Sequence, residues 1–434
     1  MNNKIDKKGK VEVEGRGMIN LGKDLPVEEI GEIAETAVRL PRIPRRIPFP
    51  SRGSCMNIWK QDPLVEELGS RRVYLHTHTT QGPKDSQIVI KGNDLPTVYP
   101  DFKGDFLFET TSEKEFDAVH TYAVVRMVLT MYQRALREKM SWHWGDGTPI
   151  TVEPRAGKTP NAYYSRTGKC LKFFYFEKAG SAPTDPYVYT CRSLDIVAHE
   201  AGHAILDGLK PGWLPFGNAQ TGGLHESFGD LTAIFMALNQ LDLVEYVIAN
   251  TKGNLHKSNI LDKLAEQFGN AIGRPSGLRN ADNDKKLSDV SNEVHDISQV
   301  FTGAIYDVLA AAFHAARRPR WIDDAVMLYE VSKKAMTLTL EGIRLAPEQN
   351  ATFKDVAEKM IEFAQSHPEE FDGYDSIITD EFSQREVLGT AAVTTLVQPF
   401  DGLGLNYGTC CGTMHHLADA EEATQEFGPL REVG

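Results

Sequence analysis

Apolar residues recur at three- and four-residue steps along much of the chain, a spacing that places them on one face of an α-helix. Between residues 115 and 140, for example, Val119, Tyr122, Val125 and Val128 follow this spacing. The same pattern predicts helices over residues 193–209, 224–250, 258–271, 297–316, 322–340 and 353–366. The second half of the chain is therefore predicted to be mainly helical.

Strand patterns are concentrated in the first half of the chain. Residues 72–78, 87–91 and 106–109 are rich in alternating or β-branched apolar residues and are separated by Gly, Pro and Asp turns. Residues 161–177 are predicted to form one or two more strands around a turn at 166–168. Together with the helices, these strands predict an α+β fold.

The two ends of the chain differ in composition from the part between them. Residues 39–52 contain five Arg and four Pro with no acidic residue, which disfavours a regular helix. A solvated linker is the preferred interpretation; a tether to an acidic partner and a cleavage site that releases an inhibitory piece are alternatives. The predicted organisation is an extension over residues 1–60, a β-rich lobe over 61–192, a helical lobe over 193–396 and a tail over 397–434.

Composition and charge exclude several classes of function. Of the 434 residues, 41% are hydrophobic and 25% are charged, which is typical of a globular protein with a sizeable core. The net charge of −13 argues against general nucleic-acid binding, which needs a basic surface. No apolar run approaches the length of a membrane span. Neither nucleic acid nor a membrane is therefore an expected partner.

The first residues and the cysteines indicate the same compartment. The N-terminal segment is polar and has no apolar core of a secretory signal. The five cysteines, Cys55, Cys170, Cys191, Cys410 and Cys411, are odd in number and lack the spacing of a disulfide framework or a zinc clip. Reduced thiols and a cytoplasmic location are predicted, with export by another route left open.

The strongest chemical signal is the H-E-x-x-H pattern at residues 199–203. Residues four apart lie on one face of a helix, so His199 and His203 can bind one metal ion. The ion that suits two neutral imidazoles and a carboxylate is zinc, held with an open position for water. Glu200 would then take the proton of that water. The alternative is an ordinary amphipathic helix with two exposed histidines.

A third ligand is expected further along the chain. Glu226 lies one helical turn before Asp230 in the segment G-G-L-H-E-S-F-G-D over residues 222–230. Glu226 would bind the metal, and Asp230 would accept the distal N–H of a ligand histidine. Alternatively, both carboxylates belong to the acidic first turn of a helix.

The order of these motifs resembles the thermolysin family of zinc endopeptidases, the gluzincins, whose third metal ligand is a glutamate. Segments at residues 116–122, 161–164, 276–279 and 292–295 also match that family in order, as does Asp195 before the zinc motif. The resemblance implies a two-lobed metallopeptidase with a β-rich N-terminal lobe, a mainly α-helical C-terminal lobe and the zinc helix between them. It also implies one zinc ion per chain.

The resemblance further implies roles in catalysis outside the metal ligands. His295 would stabilise the tetrahedral intermediate, with Asp289 or Asp296 as its carboxylate partner. Arg279 would bind a carbonyl of the substrate. The alternatives are that His295 caps a helix and that Arg279 is a surface charge.

Four more residues would contact the substrate if the resemblance holds. Asn161 and Ala162 would hold the peptide extended by adding it to a sheet as a strand. Ile196 and Leu278 would line a pocket that prefers an apolar residue just after the cleaved bond. A peptide or protein is therefore the expected partner.

Three features depart from the family pattern. His225 stands where the family usually has Asn, before Glu226. The loop before Glu226 contains no tyrosine, and Trp213 or Phe216 supplies no hydroxyl to replace it. The acidic residues that bind calcium in the family are not evident after Asp230, so no double calcium site is expected.

Two functions follow from these observations. The first is a zinc-dependent endopeptidase in which Glu200 is the general base and cleavage occurs before apolar residues. The second is a zinc-binding, weakly active or inactive relative that binds peptides as a scaffold. An intact Glu200 favours the first, whereas the missing tyrosine leaves room for the second. The oligomeric state is not predicted.

Overall fold

A computed structural model describes most of the chain between residues 53 and 389, together with two short strands near the N-terminus. Within 53–389, the residues left out are 66, 111–112, 179–186, 215, 272–276 and 278. The chain separates into two compact units, residues 1–51 and 52–434. The predicted linker, the predicted tail with Cys410 and Cys411, and the pocket residue Leu278 lie outside the described residues.

The first unit contains a described strand pair within the predicted extension. β1 (Lys10–Val13) and β2 (Gly17–Asn20) are antiparallel, with Lys10 opposite Asn20. No strand was predicted here from the sequence. Lys10 to Val13 do alternate charged and valine residues, which is the strand signal that was missed.

The strands of the second unit form several small sheets. They are β3 (Ser54–Trp59), β4 (Ser70–Leu75), β5 (Ile88–Ile90), β6 (Ile150–Glu153), β7 (Ala162–Ser165), β8 (Cys170–Phe173), β9 (Tyr175–Glu177), β10 (Tyr187–Tyr189), β11 (Lys263–Leu264) and β12 (Arg279–Asn280). The largest described sheet has the order β5-β6-β8-β7. β5 and β6 are parallel, as are β6 and β8, whereas β7 runs antiparallel to β8 and lies at an edge.

Helices make up most of the remaining described structure. They are α1 (Glu113–Leu136), α2 (Leu194–Leu209), α3 (Ala219–Leu238), α4 (Leu241–Thr251), α5 (Glu266–Ala271), α6 (Val294–Ala316), α7 (Asp324–Leu345), α8 (Phe353–Ser366), α9 (Pro368–Phe371) and α10 (Tyr374–Gln384). The described structure is thus a mixture of helices and small sheets, which is compatible with the predicted α+β class.

Several predicted elements differ in extent from the observed ones. The helix predicted over residues 224–250 is two helices, because the chain bends by 92° between α3 and α4. The apolar spacing continues across this bend, so periodicity alone could not reveal it. The helix predicted over 258–271 is confined to α5, and the strand predicted over 106–109 is reduced to a single bridge between Phe106 and Met56.

The core of the second unit surrounds α3. This helix is buried at nearly every position and packs against both α2 and α6. The hydroxyl of Thr232 on α3 is hydrogen-bonded to the hydroxyl of Tyr132 on α1, at 2.7 Å. The two helices that carry the zinc motif and the candidate third ligand are therefore held deep in the fold. Among the described helices none alone is long and apolar enough to span a membrane, although the bent pair α3 and α4 together meet those criteria.

One buried histidine lies outside the zinc motif. His120 on α1 is completely buried, and its ring stacks on Phe116 with 5.9 Å between the ring centroids. Its Nδ1 accepts a hydrogen bond from the backbone N–H of Trp59 at 3.1 Å. Burial, with the nearby charge of Arg192, lowers the pKa of His120 to about 3.

Acid is therefore expected to destabilise the fold through His120. The unfolded chain protonates this residue near its ordinary pKa of about 6.5, so the free energy of unfolding falls by up to ~1.4 kcal/mol per pH unit below that value. The loss ends near the folded pKa of about 3. His120→Gln keeps an acceptor for Trp59 and cannot take up this proton. Denaturant unfolding at pH 7 and pH 4 should show a smaller loss in the variant; equal losses would rule out His120 as the group responsible.

Candidate metal centre

The zinc motif lies on α2, where every position from Leu194 to Asp207 is buried. His199 and His203 are 3% and 0% exposed, so the alternative of two exposed histidines is wrong. Their spacing places both rings on one face, and the two Nε2 atoms are 3.0 Å apart. Two imidazole nitrogens therefore point at one place inside the protein.

α3 brings the candidate third ligand to the same place. The helix begins after Asn218, whose side chain accepts a hydrogen bond from the backbone N–H of Thr221 at 2.8 Å. About two turns after the start of the helix, Glu226 lies 3.5 Å from Nε2 of His199 and 3.6 Å from Nε2 of His203. Ligand atoms bound tetrahedrally to zinc at 2.0–2.1 Å are about 3.3 Å apart. The separations among these three side chains suit such an ion.

Glu200 adds a carboxylate to the same cluster. Ligand atoms of His199, Glu200 and His203 lie within 4.8 Å of one another, so this buried group can hold a metal ion. Glu200 is fully buried, and neither of its carboxylate oxygens has a hydrogen-bond partner among the described residues. A buried carboxylate without partners is costly, and a bound cation would offset that cost. Burial raises the pKa of Glu200 to about 7.

The close approach of α2 and α3 depends on two glycines. A Cβ added to Gly202 would lie 2.6 Å from the Thr232 hydroxyl, and one added to Gly229 would lie 2.6 Å from the His199 ring. Both contacts are too short for any other residue. Both glycines lie inside the two sequence motifs, but their role becomes visible only when the opposing atoms are known.

Gly229→Ala is expected to displace the His199 imidazole and weaken zinc binding by roughly tenfold or more, because ligand geometry controls metal affinity. Overpacking should also lower stability by about 1–3 kcal/mol. Gly223→Ala on the same helix is the matched control, since its Cβ would meet Ile297 and Phe353 instead. Thermal unfolding and zinc titration separate the effects. Equal zinc affinity in both variants would contradict the role of Gly229.

Hydrogen bonds orient both ligand histidines. Asp230 Oδ1 lies 3.0 Å from Nδ1 of His199, so this nitrogen can donate to the carboxylate and leave Nε2 for a metal. Nδ1 of His203 lies 2.9 Å from Nδ1 of His225. Because one of these two nitrogens must donate, His225 can accept the N–H of His203. His225 thus supports His203, the second candidate ligand.

Arg279 contributes to the metal centre through Asp230. From β12, its Nε and Nη2 donate to the Asp230 carboxylate at 2.8 and 2.6 Å, and Nη2 lies 3.3 Å from Nδ1 of His199. Its charge, together with the hydrogen bond of His199, lowers the pKa of Asp230 against the opposing effect of burial. A small pocket beside these groups is lined by Ile196 and Arg279 among others, so both residues lie next to the zinc motif.

His295 lies on the partly exposed side of the cluster. It is in the first turn of α6, with Nε2 3.3 Å from Glu226. Its Nδ1 lies 2.6 Å from Glu293, the residue that caps this helix. The carboxylate partners expected from the resemblance, Asp289 and Asp296, do not make this contact: each accepts a hydrogen bond from a backbone N–H instead. Glu293 makes this contact instead because it caps α6 and lies two residues before His295.

The candidate substrate-binding strand is fastened to the zinc helix. Ala162 begins β7, which pairs only with β8 among the described strands. Asn161 just before it accepts a hydrogen bond from the Ala162 N–H through its side chain, at 2.9 Å. Tyr164 donates to Asp207 of α2 at 2.6 Å, and Arg166 donates to the same carboxylate. The edge strand β7 is therefore hydrogen-bonded to α2, the helix that carries His199 and His203.

A second group of metal-ligand side chains occurs among the described residues. His256, Asp282 and Asp307 have ligand atoms within 4.8 Å of one another and are partly exposed. Arg385 already donates to Asp307 at 2.6 Å, and His256 lies 2.8 Å from Asp282. Two of the three side chains in this exposed group thus have a charged partner close by.

No family model matches the chain, and no curated protein gives a significant match. The resemblance to the thermolysin family therefore stays a prediction from the motifs.

Proposed function

We propose that the chain is a zinc-dependent endopeptidase with a thermolysin-like, two-lobed fold. The observation that carries the proposal is the convergence of His199, His203 and Glu226 beside the buried carboxylate of Glu200. Two imidazoles and one carboxylate are a ligand set typical of catalytic zinc, which keeps a fourth position open.

The proposed chemistry is hydrolysis of a peptide bond. Zinc in this site would polarise the scissile carbonyl and lower the pKa of a water molecule. Glu200 lies beside the ligand atoms and would accept the proton of the attacking water, then pass it to the departing amine.

His295 is the candidate donor to the oxyanion that forms during attack. Its Nε2 lies 3.3 Å from Glu226 at the metal centre, and its Nδ1 lies 2.6 Å from Glu293. A protonated imidazole can donate from Nε2 to a developing negative charge. About a quarter of the side chain is exposed, so a substrate can reach it.

The substrate is proposed to be an extended peptide that adds to the edge strand β7 near Asn161 and Ala162. Backbone hydrogen bonds to an edge strand do not distinguish one substrate side chain from another, so selectivity for the substrate sequence would come from the neighbouring pocket. Ile196 lines that pocket beside His199 and Arg279, and the resemblance implies a preference there for an apolar residue just after the cleaved bond. Arg279 would position Asp230 and, as the resemblance implies, contact a substrate carbonyl.

The alternative function is a zinc-binding scaffold that holds peptides without efficient cleavage. One observation favours it: Trp213, in the loop where the family has a tyrosine, is fully buried and donates its indole N–H to Pro347 at 2.9 Å. This side chain therefore supplies no donor to a substrate. The intact Glu200 favours the enzyme, since a scaffold needs no general base.

Cleavage of a quenched peptide library tests the proposed function. Purified protein would be assayed with one equivalent of zinc and again after chelation. The proposal predicts zinc-dependent cleavage before apolar residues. Zinc binding at one equivalent without cleavage of any library member would favour the scaffold. Failure to bind zinc would contradict both functions.

A further inference from the structure

An open pocket of about 260 Å³ lies between strand β4 and helix α1. Arg71, Arg72 and His76 line it from β4 and the residue that follows, Arg134 lines it from α1, and Asn239 from the end of α3. No acidic residue is among the described residues that line it. A basic pocket is unexpected in a chain with a net charge of −13.

The three arginines have unused hydrogen-bond donors. Arg72 and Arg134 are exposed, and neither forms an ion pair or side-chain hydrogen bond with another described residue. Nε of Arg71 is buried without a hydrogen-bond partner, and its Nη1 reaches Asp242 only at 3.7 Å. No described carboxylate forms an ion pair with Arg72 or Arg134, so an anion bound in the pocket would offset their charges. The arrangement favours a ligand with several acceptor oxygens.

We propose that this pocket binds the phosphate group of a small organic phosphate. The planar guanidinium fork of arginine matches phosphate oxygens, and several forks can share one phosphate. Met127 and Met131, on the same face of α1 as Arg134, give the pocket an apolar wall for the organic part of the ligand. The volume suits a ligand of this size. The proposal is independent of the zinc site and of peptidase activity.

Phosphorus NMR titrations of the zinc-loaded protein test the proposal. Inorganic phosphate and phenyl phosphate would be titrated separately at constant ionic strength. Both signals are expected to broaden on binding, with the tighter dissociation constant for phenyl phosphate because its ring can contact the methionines. The double variant Arg72→Gln, Arg134→Gln should weaken both by roughly tenfold or more, since it removes two charge-assisted donors.

Arg320→Gln is the matched control, because Arg320 is also exposed but does not line the pocket. It should leave both dissociation constants unchanged. Thermal unfolding of the double variant checks that the fold is intact, as expected for two exposed side chains. The proposal would be overturned if neither probe bound. It would also be overturned if the double variant bound the probes as tightly as the wild type. The second outcome would place the anion elsewhere, including at the zinc.

Discussion

Glu200→Gln is expected to lower peptide cleavage by about a thousandfold while one equivalent of zinc stays bound. General-base catalysis by a positioned side chain contributes about 10²–10⁴-fold, and glutamine cannot accept the proton of the attacking water. The substitution preserves the shape of a fully buried side chain, so the fold should tolerate it. It also removes a buried carboxylate that has no hydrogen-bond partner among the described residues, so stability without zinc should rise or stay unchanged.

The control for this variant is Glu245→Gln, which makes the same chemical change at an exposed position on α4. It should leave cleavage and zinc binding unchanged. Rates would be measured under saturating substrate and zinc, so that a change in affinity cannot imitate a change in chemistry. If Glu200→Gln retained more than about a tenth of the wild-type rate, Glu200 would not be the base.

Glu226→Gln should give the opposite signature. The amide is a poor substitute for an anionic ligand, so zinc affinity should fall by more than about a hundredfold. This loss is larger than the one expected when a residue that only supports a ligand is removed. Although burial alone would raise the pKa of Glu226, the imidazoles of His295, His203 and His199 lower it well below its ordinary range. Glu226 is therefore a carboxylate at neutral pH, as metal binding requires.

Competition with a chromophoric chelator measures the zinc affinity of both glutamine variants. The expected pattern is normal affinity for Glu200→Gln and weak affinity for Glu226→Gln, with cleavage by the latter restored in part by excess zinc. Equal affinities in the two variants would show that Glu226 is not a ligand. Because the two glutamates belong to one cluster, the pair separates metal binding from proton transfer.

The sequence predicted the parts of the site that depend on local geometry. The four-residue spacing of His199 and His203 determines that they share a helix face, whatever surrounds that helix. The downstream segment indicated Glu226 as the third ligand, but its distance from the two histidines depends on how α2 and α3 cross, which the sequence does not reveal. Gly202 and Gly229 control that crossing, and their importance becomes clear only when the opposing atoms are known.

Other features could not be predicted from the sequence for similar reasons. The pairing of His295 with Glu293 depends on which residue caps α6, and several carboxylates nearby in sequence are plausible partners. The break between α3 and α4 lies within a continuous apolar pattern, so only the tertiary packing shows it. The α+β class was easier to predict, since long helical and short strand patterns occupy different parts of the chain.

The central claim is that His199, His203 and Glu226 bind one zinc ion beside Glu200. Diffraction from crystals of the zinc-loaded protein, measured on both sides of the zinc absorption edge, tests it most directly. The account predicts one strong anomalous peak about 2 Å from the Nε2 atoms of both histidines and from a carboxylate oxygen of Glu226. No peak there, or a peak confined to the exposed group of His256 and Asp282, would contradict it.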